Sequence, residues 1–180
     1  MSGIIGSAGL KSGIVGAPMQ TLVIWRMVNN ETKGHQDPLG GGGSDWELSD
    51  DIESEFYLGS STQITESSGV FSFGSTGYWN IRGGFECTNY TDTVQNMTVK
   101  FLVSNNGAAG TFTSVAQTAY ADSSISTGYT DTINCECLLK ITSTTNDKFK
   151  VEHGADPDTL ILGNTSYNKT WLAFHKLANL

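Results

Sequence analysis

A chain of 180 residues, 38% hydrophobic and 16% charged with 21 glycines, can bury one core, so the expectation is a single β domain with an N-terminal appendage rather than two full domains. Its formal net charge of -8 argues against a nucleic-acid partner, because phosphate binding is driven by Lys and Arg that release counterions, and no basic stripe offsets the acidity. No apolar run approaches the ~20 residues of a membrane helix, so no membrane insertion is expected. Gly3, Gly6, Gly9 and Gly13 interrupt a leader that also lacks a basic start, which speaks against a classical export signal, and Ser2 after Met1 excludes myristoylation.

Residues 1–17 contain an echo, SGIIG at 2–6 and SGIVG at 12–16. Small apolar pairs framed by glycines have no helical period and too little bulk to fold alone, which predicts a docking arm ordered only against another surface. Its gripping residues would be Ile4, Ile5, Leu10, Ile14 and Val15. The domain proper is then 18–180.

Residues 21–28, TLVIWRMV, are apolar on both parities and predict a strand covered on both faces. A Gly-rich and acidic stretch at 29–56 follows, with four consecutive glycines at 40–43, and is expected to be a loop insertion. Asp45, Glu47, Asp50, Asp51, Glu53 and Glu55 alternate with bulky apolar residues but lack the D-x-D-x-D-G spacing of a calcium loop. A solvated acidic face and no metal are expected.

The densest signal is 64–87, ITESSGVFSFGSTGYWNIRGGFEC. Val70, Phe71 and Phe73 precede a glycine-bearing turn at 74–77, and Trp79, Ile81, Phe85 and Cys87 recur at period 2. This predicts a hairpin with a bulky inward face, with Tyr78, Asn80 and Arg82 outward and a bulge or close backbone approach at Gly83 and Gly84. Met97, Val99, Phe101 and Val103 form a half-buried strand ended by Asn105-Asn106-Gly107. A Thr- and Ala-rich strand at 111–120 suggests a sheet edge, with a loop after it.

Ile133, Cys135, Cys137, Leu139 and Ile141 share one parity of the next strand. Three cysteines do not make a disulfide framework, and without a second Cys or His pair they read as core thiols. Short strands at 149–151 and 160–162 lead to the last, WLAFHKLA at 171–178. At least eight strands without an amphipathic helix predict an all-β, two-sheet antiparallel sandwich.

Little points to chemistry. His35, His153 and His175 are isolated, Asp156-Pro157-Asp158 reads as a turn, and the glycine run at 40–43 lacks the Lys-Ser/Thr of a phosphate loop. Asn-x-Ser/Thr sequons at Asn30, Asn89, Asn96, Asn164 and Asn168 are expected by chance in so Ser- and Thr-rich a chain. No catalytic residue and no cofactor are expected.

GVFSFGSTGYWNIRGGFEC at 69–87, NDKFKVEHGAD at 146–156 and the closing WLAFHKLA resemble complement-type globular heads and tumour-necrosis-factor-like domains. The resemblance implies a ten-stranded jelly roll assembled as a tight homotrimer, with Tyr78, Tyr120, Tyr129, Trp171 and Phe174 as trimer-interface candidates. The opening MSGIIGSAGLKSGIVG is similar to that of small structural proteins of tailed bacteriophages. Together these imply a non-enzymatic virion protein made in a bacterial cytoplasm: the β head of a tail fibre, spike or head fibre, joined to other virion proteins by its arm. Asn105, Asn106, Tyr129, Tyr167 and Asn168 would be its surface-recognition loops toward a host glycan or protein. The alternatives are a capsid decoration or cement trimer, distinguished by copy number per particle, a carbohydrate-active enzyme on the same scaffold, and a secreted carbohydrate-binding adhesin.

Overall fold

The computed structural model describes residues 21–33, 37–42, 45–49, 57–58, 60–89, 96–120, 130–156 and 159–180. The arm residues Ile4, Ile5, Leu10, Ile14 and Val15, together with Tyr129 and His35, lie outside the described residues.

The described residues form β-strands and one 3-10 turn at Ser61–Gln63, with no α-helix. In chain order the strands are β1 (Leu22–Met27), β2 (Glu31–Lys33), β3 (Asp37–Pro38), β4 (Trp46–Leu48), β5 (Tyr57–Leu58), β6 (Ile64–Ser67) and β7 (Val70–Phe73). They continue as β8 (Gly77–Asn89), β9 (Asn96–Ser104), β10 (Thr113–Tyr120), β11 (Thr130–Ile141), β12 (Lys148–Asp156), β13 (Thr159–Ile161) and β14 (Trp171–Ala178). One sheet has the order β2-β13-β8-β14-β1-β4, with β11 also paired to β8 and β5 to β1; the other has the order β10-β9-β12-β7-β6, with β3 paired to β12. Every pairing is antiparallel.

Alternation decides which side chains meet between the sheets. Trp79, Ile81, Phe85 and Cys87 of β8, Leu172 and Phe174 of β14, and Ile133, Cys135, Leu139 and Ile141 of β11 are buried from one side. From the other come Phe71 and Phe73 of β7, Met97, Val99 and Phe101 of β9, and Phe149 and Val151 of β12. Phe71 is the hub: its ring centroid lies 5.2 Å from Phe174, 5.5 Å from Trp46, 5.9 Å from Trp25 and 6.1 Å from Phe149. Offset and edge-on ring pairs of this kind add ~0.5–1.5 kcal/mol each beyond the area they bury.

The predicted hairpin over 70–87 is not one. β7 pairs with β6 and β12, whereas β8 pairs with β11, β13 and β14, so the chain crosses between sheets at 74–76. Both strands still turn bulky residues inward, because they face each other across the core instead of lying side by side. The hairpin is β6–β7, closed by Ser68 (φ 53°) and Gly69 (φ 79°), two successive left-handed residues as a type I′ turn requires. Glu66 Oε1 accepts from the Gly69 amide at 2.6 Å. A Cβ on Gly69 would meet the carbonyl oxygen of Leu39 at 2.5 Å, so both conformation and space demand glycine.

The stretch expected as a loop insertion at 29–56 also contributes structure. Its β2, β3 and β4 extend both sheets, and Leu39 and Trp46 are buried in the core. Gly83 and Gly84 form no bulge, since the β8–β11 register runs through them unbroken. The close approach is present on both faces. A Cβ on Gly83 would meet the Phe85 ring and Leu172 inside, and one on Gly84 would meet Trp171 outside.

Candidate functional site

The outer face of the sheet that holds β8, β11, β14 and β1 concentrates side chains that the core does not use. Cross-strand register sets them in rows: Arg26, Trp171, Gly84 and Asn134; then Ile24, Ala173, Arg82 and Glu136; then Leu22, His175, Asn80 and Leu138. Tyr78 pairs with Lys140 beyond them. All have the parity opposite to that of Val23, Phe174, Ile81 and Leu139, which point into the sandwich. Leu138 is 64% exposed, and Tyr78 and Leu177 are also exposed.

Charge on this face is arranged in two ways. Arg26, with a side chain 3% exposed, donates from Nε to Glu47 Oε1 at 2.7 Å, a part-buried pair in which loss of the carboxylate would leave the buried guanidinium short of its counter-charge. Arg82 is exposed and makes no hydrogen bond or ion pair among the described residues. Its direct cross-strand neighbour is Glu136, yet that carboxylate accepts from Asn80 Nδ2 at 2.7 Å. Beside Arg82 lies a shallow depression of about 340 Å³, lined by Arg82, Gly83, Asn134, Cys135, Glu136 and Trp171.

Elsewhere the polar groups serve structure. Asp147 Oδ2 accepts from the amides of Thr142 (2.6 Å) and Ser143 (2.9 Å), holding the turn between β11 and β12. Lys176 Nζ donates to Ser75 Oγ at 2.8 Å, and Ser75 donates to Gln63 Oε1 at 2.6 Å. Burial lowers the Lys176 pKa, and its ammonium sits over the Trp79 ring. Burial pushes the Cys87 thiol up to about 12, with Asp131 and Glu86 adding to it. Cys137 rises to about 12 by burial, then by Cys135 and Glu136. Thiols held protonated are poor nucleophiles and poor ligands. Among the described residues no group of three or more His, Cys, Asp or Glu could hold a metal ion.

Of the aromatic interface candidates, Tyr78 and Trp171 are on this outer face. Phe174 is not available to a neighbouring chain: it is fully buried and packs on Phe71, Phe73 and Phe149, because its even position on β14 points inward. Tyr120 packs partly buried against the core from β10. The recognition-loop candidates divide between two ends of the sandwich. Asn105 and Asn106 are exposed beside the β11–β12 turn, where Gly107 donates to the Asn146 carbonyl. Tyr167, 56% exposed, and Asn168, which accepts from Ser49 Oγ at 3.1 Å, precede β14 at the opposite end. Sequence reasoning missed Arg82 and Glu136 as a juxtaposed pair, since a sequence separation of 54 hides a cross-strand contact.

No family model matches this chain, and no curated protein matches it. Among solved structures it is similar to Eiger TNF from S. frugiperda, with TM-score 0.63 at 12% identity over 91% of this chain and 96% of that one. It is also similar to murine APRIL at pH 5.0, with TM-score 0.57 at 11% identity over 88% of this chain and 99% of that one. Murine APRIL at pH 8.5 gives TM-score 0.53 at 13% identity with the same coverage. The fold is a tumour-necrosis-factor-like jelly roll. Identity so low with coverage so complete means that strand order and sandwich geometry are shared while the surface residues are this chain's own. The face described above therefore has to be judged on its own side chains.

Proposed function

We propose that this protein is a non-enzymatic, homotrimeric virion structural protein of a tailed phage: the jelly-roll head of a tail fibre, spike or head fibre, held by its N-terminal arm. The observation that carries the trimer is the outer face of β1, β8, β11 and β14, where Tyr78, Leu138 and Leu177 are exposed next to half-buried Leu22 and Ile24. Apolar side chains gathered on one sheet face mark an association surface. A closed ring covers such a face on every copy.

The virion role is supported by the glycine-punctuated echo at 2–16, suited to lying on a larger assembly, and by three free cysteines, as a reducing cytoplasm favours. Chain polarity orients the head. The domain is entered at Thr21, whose carbonyl accepts from the Lys176 amide, near the Asn105 end. β1 then runs six residues, about 20 Å at the usual rise, toward the loop at 163–170. With the arm gripping the particle, Tyr167 and Asn168 face outward toward a host glycan or protein, and Asn105 and Asn106 face the particle.

Two measurements test this. Native mass spectrometry should give three copies, and deletion of residues 1–17 should keep the trimer while abolishing incorporation into particles. A monomeric full-length chain, or a truncated chain that still incorporates, overturns the reading. Electron microscopy of the particle then separates a fibre or spike from a capsid decoration by position and copy number.

A further inference from the structure

Resting on the trimer reading, we infer that Arg82 and Glu136 form a reciprocal ionic lock between copies, the guanidinium of one chain receiving the Glu136 carboxylate of the next. The two residues are direct cross-strand partners, close enough to pair within one chain. They do not. Glu136 spends one oxygen on Asn80, which draws the carboxylate along the strand and leaves the five guanidinium donors of Arg82 without an acceptor among the described residues.

Three features make a second copy of this chain the occupant. The depression between Arg82 and Trp171 is about 340 Å³, room for a carboxylate-bearing side chain, with Asn134 and Arg82 as donors in a wall that also holds this chain's own Glu136, turned toward Asn80. Exposed Leu138, two positions beyond Glu136, and Tyr78 provide apolar surroundings that would exclude water and strengthen the pair once covered. The depression also carries its own complement: the unsatisfied Arg82 and the half-satisfied Glu136 on neighbouring strands. In a cyclic assembly each copy gives its Glu136 carboxylate to one neighbour and its Arg82 guanidinium to the other, so neither of these two charges is left over. Lys140, also on this face and also without a partner among the described residues, lies four positions further along β11 and outside the depression.

The test is a charge swap in the full-length chain, read as trimer dissociation on dilution by native mass spectrometry and analytical ultracentrifugation. R82E and E136R should each raise the trimer dissociation constant roughly a hundredfold or more, because like charges then face each other at three places. The R82E/E136R double variant should return to within about tenfold of the starting value. R82Q, which removes the charge without reversing it, should fall between. Both side chains are exposed, so circular dichroism should report an unchanged fold. Singles that leave the trimer intact, or a double variant as weak as the weaker single, overturn the lock while the trimer stands. A starting protein that is monomeric at every concentration overturns the trimer and the lock together.

Discussion

Trp171 lies over Gly84 on the outside of the sheet, so close that a Cβ on the glycine would stand 2.7 Å from the indole Nε1 and 3.0 Å from Cε2. The glycine pair in the middle of β8 is thereby explained face by face. Gly83 yields space inward to Phe85 and Leu172, and Gly84 yields it outward to the indole. β8 is flanked by β11 and β14 through both residues, and it keeps its ladder because only side-chain volume, not a hydrogen bond, is given up.

Gly84→Ala should therefore displace the indole without disturbing the ladder. Expected are a shift in tryptophan emission and a loss of ~1–3 kcal/mol in urea denaturation, the range for overpacking. An unchanged emission spectrum with unchanged stability would mean that Trp171 does not rest on the glycine.

Phe71→Ala should cost ~3–5 kcal/mol, because it empties the site where rings from both sheets meet. Val115→Ala, at an exposed position on β10, should change stability by less than about 0.5 kcal/mol. Denaturant midpoints of the two variants check the contrast.

The β6–β7 turn offers a gain. Ser68 holds φ 53°, which an L-residue other than Asn or Gly adopts at a cost. Ser68→Asn should stabilise by roughly 0.5–1 kcal/mol by completing an Asn-Gly turn. Gly69→Ala should destabilise by more than about 2 kcal/mol, since conformational strain is joined by the contact with the Leu39 carbonyl. Thermal melts of the pair should move in opposite directions.

Alkaline pH should weaken the fold through its buried thiols. Cys87 ionises ordinarily near 9.0 and is pushed up to about 12 in the fold. A raised folded pKa means that the unfolded chain loses its proton first. The contribution is complete below pH 9.0 and is lost as pH rises toward 12, at up to about 1.4 kcal/mol per pH unit for a fully shifted thiol. Urea midpoints at about pH 8 and about pH 10.5 should differ less in Cys87→Ala than in the parent chain. In the same protein, thiol-reactive dye should label Cys87 slowly until denaturant is added.

Much of this fold was legible because alternation is a local property. Met97 to Val103, Ile133 to Ile141 and WLAFHKLA announce strands with no knowledge of what they pair with, since burial of one face of a pleated strand dictates period 2. Candidate surface residues were less legible. Tyr78 follows from its parity opposite Trp79, but Arg82 and Glu136 gain meaning only when β8 and β11 are laid side by side.

What 180 residues of sequence determined alone was the all-β character, the inward parity of β8, β9 and β11 and a net charge of -8, the first two carried by neighbours a few positions apart. What the tertiary structure decided was partnership. β7 and β8 are separated by three residues yet belong to different sheets, Leu39 and Trp46 leave a glycine-rich stretch to enter the core, and two aromatic residues of one strand divide, Phe174 inward and Trp171 outward. Pairing energy depends on which backbone edges and side chains arrive from distant positions, and no local pattern encodes that arrival.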